Sequence, residues 1–117
     1  MTGLTTHVLD LTLGKPADEL QISFYKTGSD NKTLIANFVT NSDGRLNEPI
    51  FDQSSIRAGW YEIVFHAGKY LFIKHKMRAS ELFFDNISIS FQISDLQQHY
   101  HVPLLLSKFG YSTYRGS

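Results

Sequence analysis

From Ile87 to Ser94 the chain reads Ile-Ser-Ile-Ser-Phe-Gln-Ile-Ser, with apolar and polar residues in strict alternation. A period of two puts Ile87, Ile89, Phe91 and Ile93 on one side of an extended segment and the polar residues on the other, a separation no helix makes. The segment is predicted to be a strand with one buried face. Leu20 to Phe24 repeats the pattern, and Tyr61 to Phe65 follows it less cleanly. Thr5 to Leu11 and Thr33 to Thr40 are β-branched, apolar runs that also predict strands. Turn residues separate these runs: Gly14-Lys15-Pro16, Gly28-Ser29-Asp30-Asn31 and Asn41-Ser42-Asp43-Gly44 each suit a tight or left-handed backbone. Ser107-Lys108-Phe109-Gly110 is predicted to close a hairpin. Only the stretch from about Phe72 to Phe83 leans helical, with Ile73, Met77 and Leu82 near one face and Lys74, Lys76 and Arg78 toward water. About seven or eight short strands with one short helix predict an all-β sandwich.

The chain has 117 residues, enough for a single domain over residues 1–117. A chain of that size buries roughly two-thirds of its unfolded surface, and 42% hydrophobic residues can fill the resulting core. Cysteine is absent, which removes disulfides, thiolate nucleophiles and cysteine zinc sites together. Eleven basic residues balance eleven acidic ones, so no cationic surface for nucleic acid is expected. No window approaches the ~20 apolar residues of a membrane span. The first seven residues lack a charged start followed by an apolar run, so the chain reads as cytoplasmic, with a periplasmic or peroxisomal form that has lost a leader as the other option.

Chemistry must come from the five histidines and a few neighbours. His99 and His101 are two apart, so a strand would point both to one face and Tyr100 to the other. Three readings stay open for that pair: a metal site with His7 as third ligand, a proton-transfer or polar binding site, or hydrogen-bonded surface residues. His66 and His75 read as ordinary surface residues. Arg45 directly follows the Asp43-Gly44 turn and is either solvated or a planar fork for an anionic or carbonyl-rich heterocycle; Arg115 carries the same two readings. Gly-rich phosphate loops, nucleophile elbows and His-Glu-x-x-His motifs are absent from the sequence. Tyr114 to Ser117 is too polar to be held by a core, so a partner surface or ligand is expected to hold it.

Several segments together resemble the 5-hydroxyisourate hydrolases, the transthyretin-related enzymes of urate breakdown. They are Thr6-His7-Val8-Leu9-Asp10 with Gly14-Lys15-Pro16-Ala17, Thr40 to Arg45, Gly59 to Phe65, and His99 to Ser107 running into Gly110 to Ser117. The closing Tyr-Arg-Gly-Ser is the most specific part, because that family ends with it. The resemblance implies two four-stranded sheets with a short helix, assembled as a homotetramer with its sites between dimers. It also implies hydrolysis of the ring amide of 5-hydroxyisourate to 2-oxo-4-hydroxy-4-carboxy-5-ureidoimidazoline, with no cofactor and no metal. Carried onto this chain, the site residues are His7, Arg45, His101 and the tail Tyr114, Arg115, Gly116 and Ser117. His7 and His101 would hold a water, one as general base. Arg45 would bind substrate oxygens, and Tyr114 and Ser117 would hydrogen-bond the flat ring, Ser117 also through its carboxylate. Arg115 would anchor the tail. Lys108 and Asp85 depart from the family, where proline is common, and question local turn geometry only. The rival functions are a non-catalytic carrier on the same fold, a structural sandwich module, and a metal-dependent hydrolase using His99 and His101.

Overall fold

The computed structural model describes residues 3–51 and 56–116. In chain order the strands are β1 (Gly3–Thr5), β2 (Val8–Asp10), β3 (Lys15–Pro16), β4 (Gln21–Thr27), β5 (Lys32–Val39), β6 (Gly59–Phe65), β7 (Ile87–Ile93), β8 (His99–His101), β9 (Leu104–Leu106) and β10 (Tyr111–Thr113). One α-helix, α1 (Ala67–Lys74), lies between β6 and β7. Two four-stranded sheets result, ordered β5-β4-β6-β7 and β10-β9-β2-β3, beside a parallel pair of β1 with β8. This is the expected sandwich, with one small extra ladder.

The alternation of β7 is realised as expected: Ile87 and Ile93 are buried, Ile89 and Phe91 are half-buried, and the intervening residues are exposed. It pairs antiparallel with β6 from Phe65 opposite Ile87 to Gly59 opposite Ile93. Ile22 and Phe24 of β4 and Ile63 and Phe65 of β6 fill the layer between the sheets. The Phe24 and Tyr61 rings stack there at 5.2 Å and 9°, a geometry that adds to the area they bury.

Three local expectations need correction. The predicted strand from Thr5 to Leu11 is two strands, because Thr6 turns inward and its hydroxyl donates to the Val102 carbonyl at 2.6 Å. Lys15 and Pro16 form an edge strand opposite Asp10 and Leu9 rather than a turn; the proline is tolerated because an edge leaves one side of the strand unpaired. The helix spans Ala67–Lys74, not Phe72 to Phe83, and only a single 3₁₀ turn follows at Ala79–Glu81. Its start depends on Gly68, where a Cβ would run into the Asp85 carboxylate while the Gly68 N–H donates to the Asp85 carbonyl at 2.9 Å. It stops where Lys76 takes a left-handed φ of 58°. Tyr70 and Leu71 are its buried side, so Phe72 and Ile73 are exposed, and Met77 reaches the core from beyond the helix.

Helix and sheet are joined by an internal polar cluster. Asp10 Oδ2 accepts hydrogen bonds from Tyr70 OH and His75 Nε2, both at 2.7 Å, while Oδ1 accepts from the Thr12 and Leu13 amides. The side chains of His75 and Asp10 are 5% and 1% exposed, so His75 is not the surface residue expected. Burial works against the Asp10 carboxylate, but the bonds from Tyr70 and His75 outweigh it and hold its pKa below the ordinary value. His66 is likewise half-buried, with Nε2 2.9 Å from Ser23 Oγ. Ser23 already donates its one proton to Asn37 Oδ1 at 2.7 Å, so His66 donates to it and the serine is not activated.

Candidate active site

Three stretches distant in sequence meet at one end of the β10-β9-β2-β3 sheet. Asn41 builds the first approach. Its Oδ1 accepts from the Asp43 and Arg45 amides at 2.9 and 3.2 Å, and its own N–H donates to the Arg45 carbonyl at 2.8 Å. Gly44 closes this turn at φ 72°, and its carbonyl accepts from the Val8 N–H at 2.8 Å. A side chain on Gly44 would collide with the Val8 carbonyl, so glycine is needed both for the left-handed backbone and for close approach. The result is an antiparallel bridge between His7 and Arg45.

The second approach is the β1–β8 pair, with Thr5 opposite His101 and Leu4 opposite Tyr100. Alternation buries Leu4 and Tyr100 and leaves Thr5, His99 and His101 together on the other side, as expected for the two histidines. Thr5 Oγ1 lies 2.9 Å from both His99 Nε2 and His101 Nδ1.

The tail is the third approach. The Gly116 N–H donates to the His101 carbonyl at 2.8 Å. A Cβ at Gly116 would come within 2.5 Å of His101 Cδ2, so only glycine lets the tail lie on that ring. The His101 ring is thereby held by Thr5 on its Nδ1 side and by Gly116 on its Cδ2 side, and its Nε2 has no hydrogen-bond partner among the described residues. Arg115 donates to Gln98 Oε1 at 2.7 Å and sits 4.5 Å over the Tyr100 ring. Gly116 thus ties the tail to β8 of its own chain. Tyr114 is 58% exposed. Ser117 lies outside the described residues.

Both imidazoles are shifted toward the neutral form. Burial lowers the His7 pKa and the nearby Arg45 charge adds to this, outweighing a hydrogen bond to the Asp43 carbonyl and the Asp43 charge. Burial also lowers that of His101, with Arg45, His99 and His7 adding to it. Arg45 thus acts on both rings, and each ring is ready to accept or share a proton near neutral pH. Arg45 itself is exposed and borders a cavity of about 180 Å³ shared with Thr5, Thr6, Leu46, Asn47, Glu48 and Pro49. The structure brings His7, Arg45, His101 and Gly116 together, whereas the Arg115 side chain lies with Gln98 and Tyr100 on the other side of β8. The described residues contain no group of three or more His, Asp or Glu side chains placed to hold a metal ion. Sequence reasoning missed Thr5, whose only signal is its place two residues before His7.

Residues 4–116 match the model of the HIUase/Transthyretin family. The chain belongs to that family. Among its relatives, 5-hydroxyisourate hydrolase 2 of Rhizobium meliloti (strain 1021) is 47% identical over 114 residues, covering 97% of this chain and 95% of that protein. The crystal structure of (S)-allantoin synthase superposes with a TM-score of 0.90 at 39% identity over 99% of this chain, which spans only 44% of that longer one. Sea bream transthyretin in complex with thyroxine superposes with a TM-score of 0.85 at 28% identity, over 97% of this chain and 93% of that one. The proteins similar to this chain thus include both a 5-hydroxyisourate hydrolase and a transthyretin in complex with thyroxine, and the site has to tell them apart.

Proposed function

We propose that this chain hydrolyses the ring amide of 5-hydroxyisourate in urate degradation, at a site built by His7, Arg45 and His101. One observation carries this reading: two imidazoles, one bridged to Arg45 through the backbone, share one charged guanidinium that lowers both toward neutrality. Amide hydrolysis needs a water made nucleophilic, a counter-charge for the oxyanion and a proton for the departing nitrogen. Arg45 supplies the counter-charge and the fork for the flat ring's oxygens, and the two histidines hold the water, one of them as its general base. Tyr114, Gly116 and Ser117 bind the ring, and Arg115 anchors the segment that carries them. A carrier for an apolar hormone gains nothing from a guanidinium and two imidazoles here, because each must be desolvated without compensation.

The active assembly is a homotetramer with its sites between dimers. Pockets for small molecules are usually about 300–1,000 Å³ and largely closed, whereas the cleft beside Arg45 holds only about 180 Å³. On the adjoining sheet, Leu11, Leu13, Phe109, Tyr111 and Tyr114 leave 40% or more of their surface exposed. A second copy over that face would bury them and complete the cleft.

The test is the decay of 5-hydroxyisourate, generated in place by urate oxidase and followed by absorbance. The decay is expected to accelerate in proportion to added protein; a rate unchanged at every protein concentration would refute the reading. Its pH dependence follows from the lowered pKa values. The base works only when neutral, so kcat/KM is expected to hold as pH falls through 6.5, the ordinary histidine value, and to drop only below it.

A further inference from the structure

The Thr5 hydroxyl has a single proton and two imidazole nitrogens at 2.9 Å, one from His99 and one from His101. With one donor and room to accept, it gives its proton to one ring and receives from the other, so the tautomers of the two histidines are coupled. If Thr5 donated to His99, the neutral His99 would carry its own proton on Nδ1. That atom is buried and has no hydrogen-bond partner among the described residues. A buried N–H without a partner is rarer and costlier than a buried lone pair without one. If both rings donated to Thr5, its hydroxyl proton would be left without an acceptor. The Thr5 carbonyl also lies near the His101 ring, but it takes the Val102 N–H at 3.0 Å, and the ring contact with hydrogen-bond geometry is the one from Nδ1 to the Thr5 hydroxyl at 2.9 Å. In the remaining arrangement His99 Nε2–H donates to Thr5, and the Thr5 hydroxyl donates to His101 Nδ1.

We infer that His99, acting through Thr5, locks His101 in the tautomer that presents Nε2–H to the cleft. His99 and Thr5 are positioning residues, and the lock decides between the two site histidines. His101 is then the hydrogen-bond donor to the developing oxyanion, beside Arg45. The base falls to His7, the other imidazole beside Arg45, which the backbone bridge to that residue holds in place. Water adds to the ring carbonyl carbon, the carbonyl electron pair moves to oxygen, and the water proton goes to His7. The C–N bond then breaks with its pair on nitrogen, and His7 returns that proton to the nitrogen. Neutral histidines as donors to an oxyanion are an established device, and the lowered pKa of His101 keeps it neutral.

The inference rests on the active-site reading above, so its test has a readout that does not need turnover. Long-range ¹H–¹⁵N spectra of the ring-labelled protein at pH 7 are expected to show His101 protonated on Nε2 and bare on Nδ1. Thr5→Val, which keeps the shape and removes the hydroxyl, is expected to mix the tautomers and lower kcat by about 100-fold, the low end for acid–base contributions, with KM little changed. His99→Phe is expected to do the same. His99→Gln, whose amide N–H can replace Nε2–H, is expected to restore the spectrum and most of the rate. A wild-type spectrum with His101 protonated on Nδ1 overturns the inference, as does a Thr5→Val spectrum identical to wild type. Full turnover in His101→Gln would instead overturn the active-site reading, whatever the tautomer.

Discussion

His7→Asn is expected to lower turnover of 5-hydroxyisourate by about 100- to 10,000-fold, the range that a positioned acid or base contributes. The fold is expected to survive. His7 lies between β1 and β2, is half-buried, and joins Arg45 by backbone bridging that asparagine can also make. Substitutions of that kind usually change stability by less than about 0.5 kcal/mol. Steady-state rates on freshly generated substrate, measured beside a thermal melt, check both halves. Near-normal kcat in a folded variant would remove His7 from the chemistry.

Asp10→Ala is expected to have the largest effect on stability. Removing the carboxylate strands the Tyr70 hydroxyl, the His75 ring and the Thr12 and Leu13 amides, which it now satisfies at 2.7 to 3.1 Å. Breaking a buried, charge-assisted cluster from one side costs about 3–5 kcal/mol, against a total of about 5–15 kcal/mol for a domain. The thermal midpoint is expected to fall by on the order of 10 °C or more. The pH dependence has a definite sign. The folded pKa of Asp10 lies below its ordinary value, so this stabilisation is complete above the unfolded carboxylate pKa of about 4 and is lost as pH falls through the folded one. The gap between wild type and Asp10→Ala is therefore expected to shrink in acid. A melt within 2 °C of wild type at pH 7 would show that the cluster contributes little.

These two residues also show where sequence reasoning stops. The β7 alternation and the turn residues specify strands directly, because a period of two and a left-handed backbone are local properties. The helix was harder to place, because its start depends on Gly68 meeting Asp85, a contact 17 positions away in the chain. His75 is read as a surface residue for a similar reason. Nothing near it in sequence points to Asp10, which is 65 positions earlier. The site was legible chiefly through family resemblance. The same-face placement of His99 and His101 could be derived from spacing alone, but its partner Thr5 is 94 and 96 positions away across a parallel pair. Polarity marks the tail as outside the core but does not reveal that Gly116 is shaped to lie on an imidazole ring.

The most direct test of the convergent site is a crystal structure of the assembled protein with a planar, non-hydrolysable oxopurine analogue. The expected result is the analogue in the cleft, with an oxygen hydrogen-bonded to the Arg45 guanidinium and the His7 and His101 rings on one carbonyl carbon. An analogue seated elsewhere, with those three side chains free of it, would contradict the account.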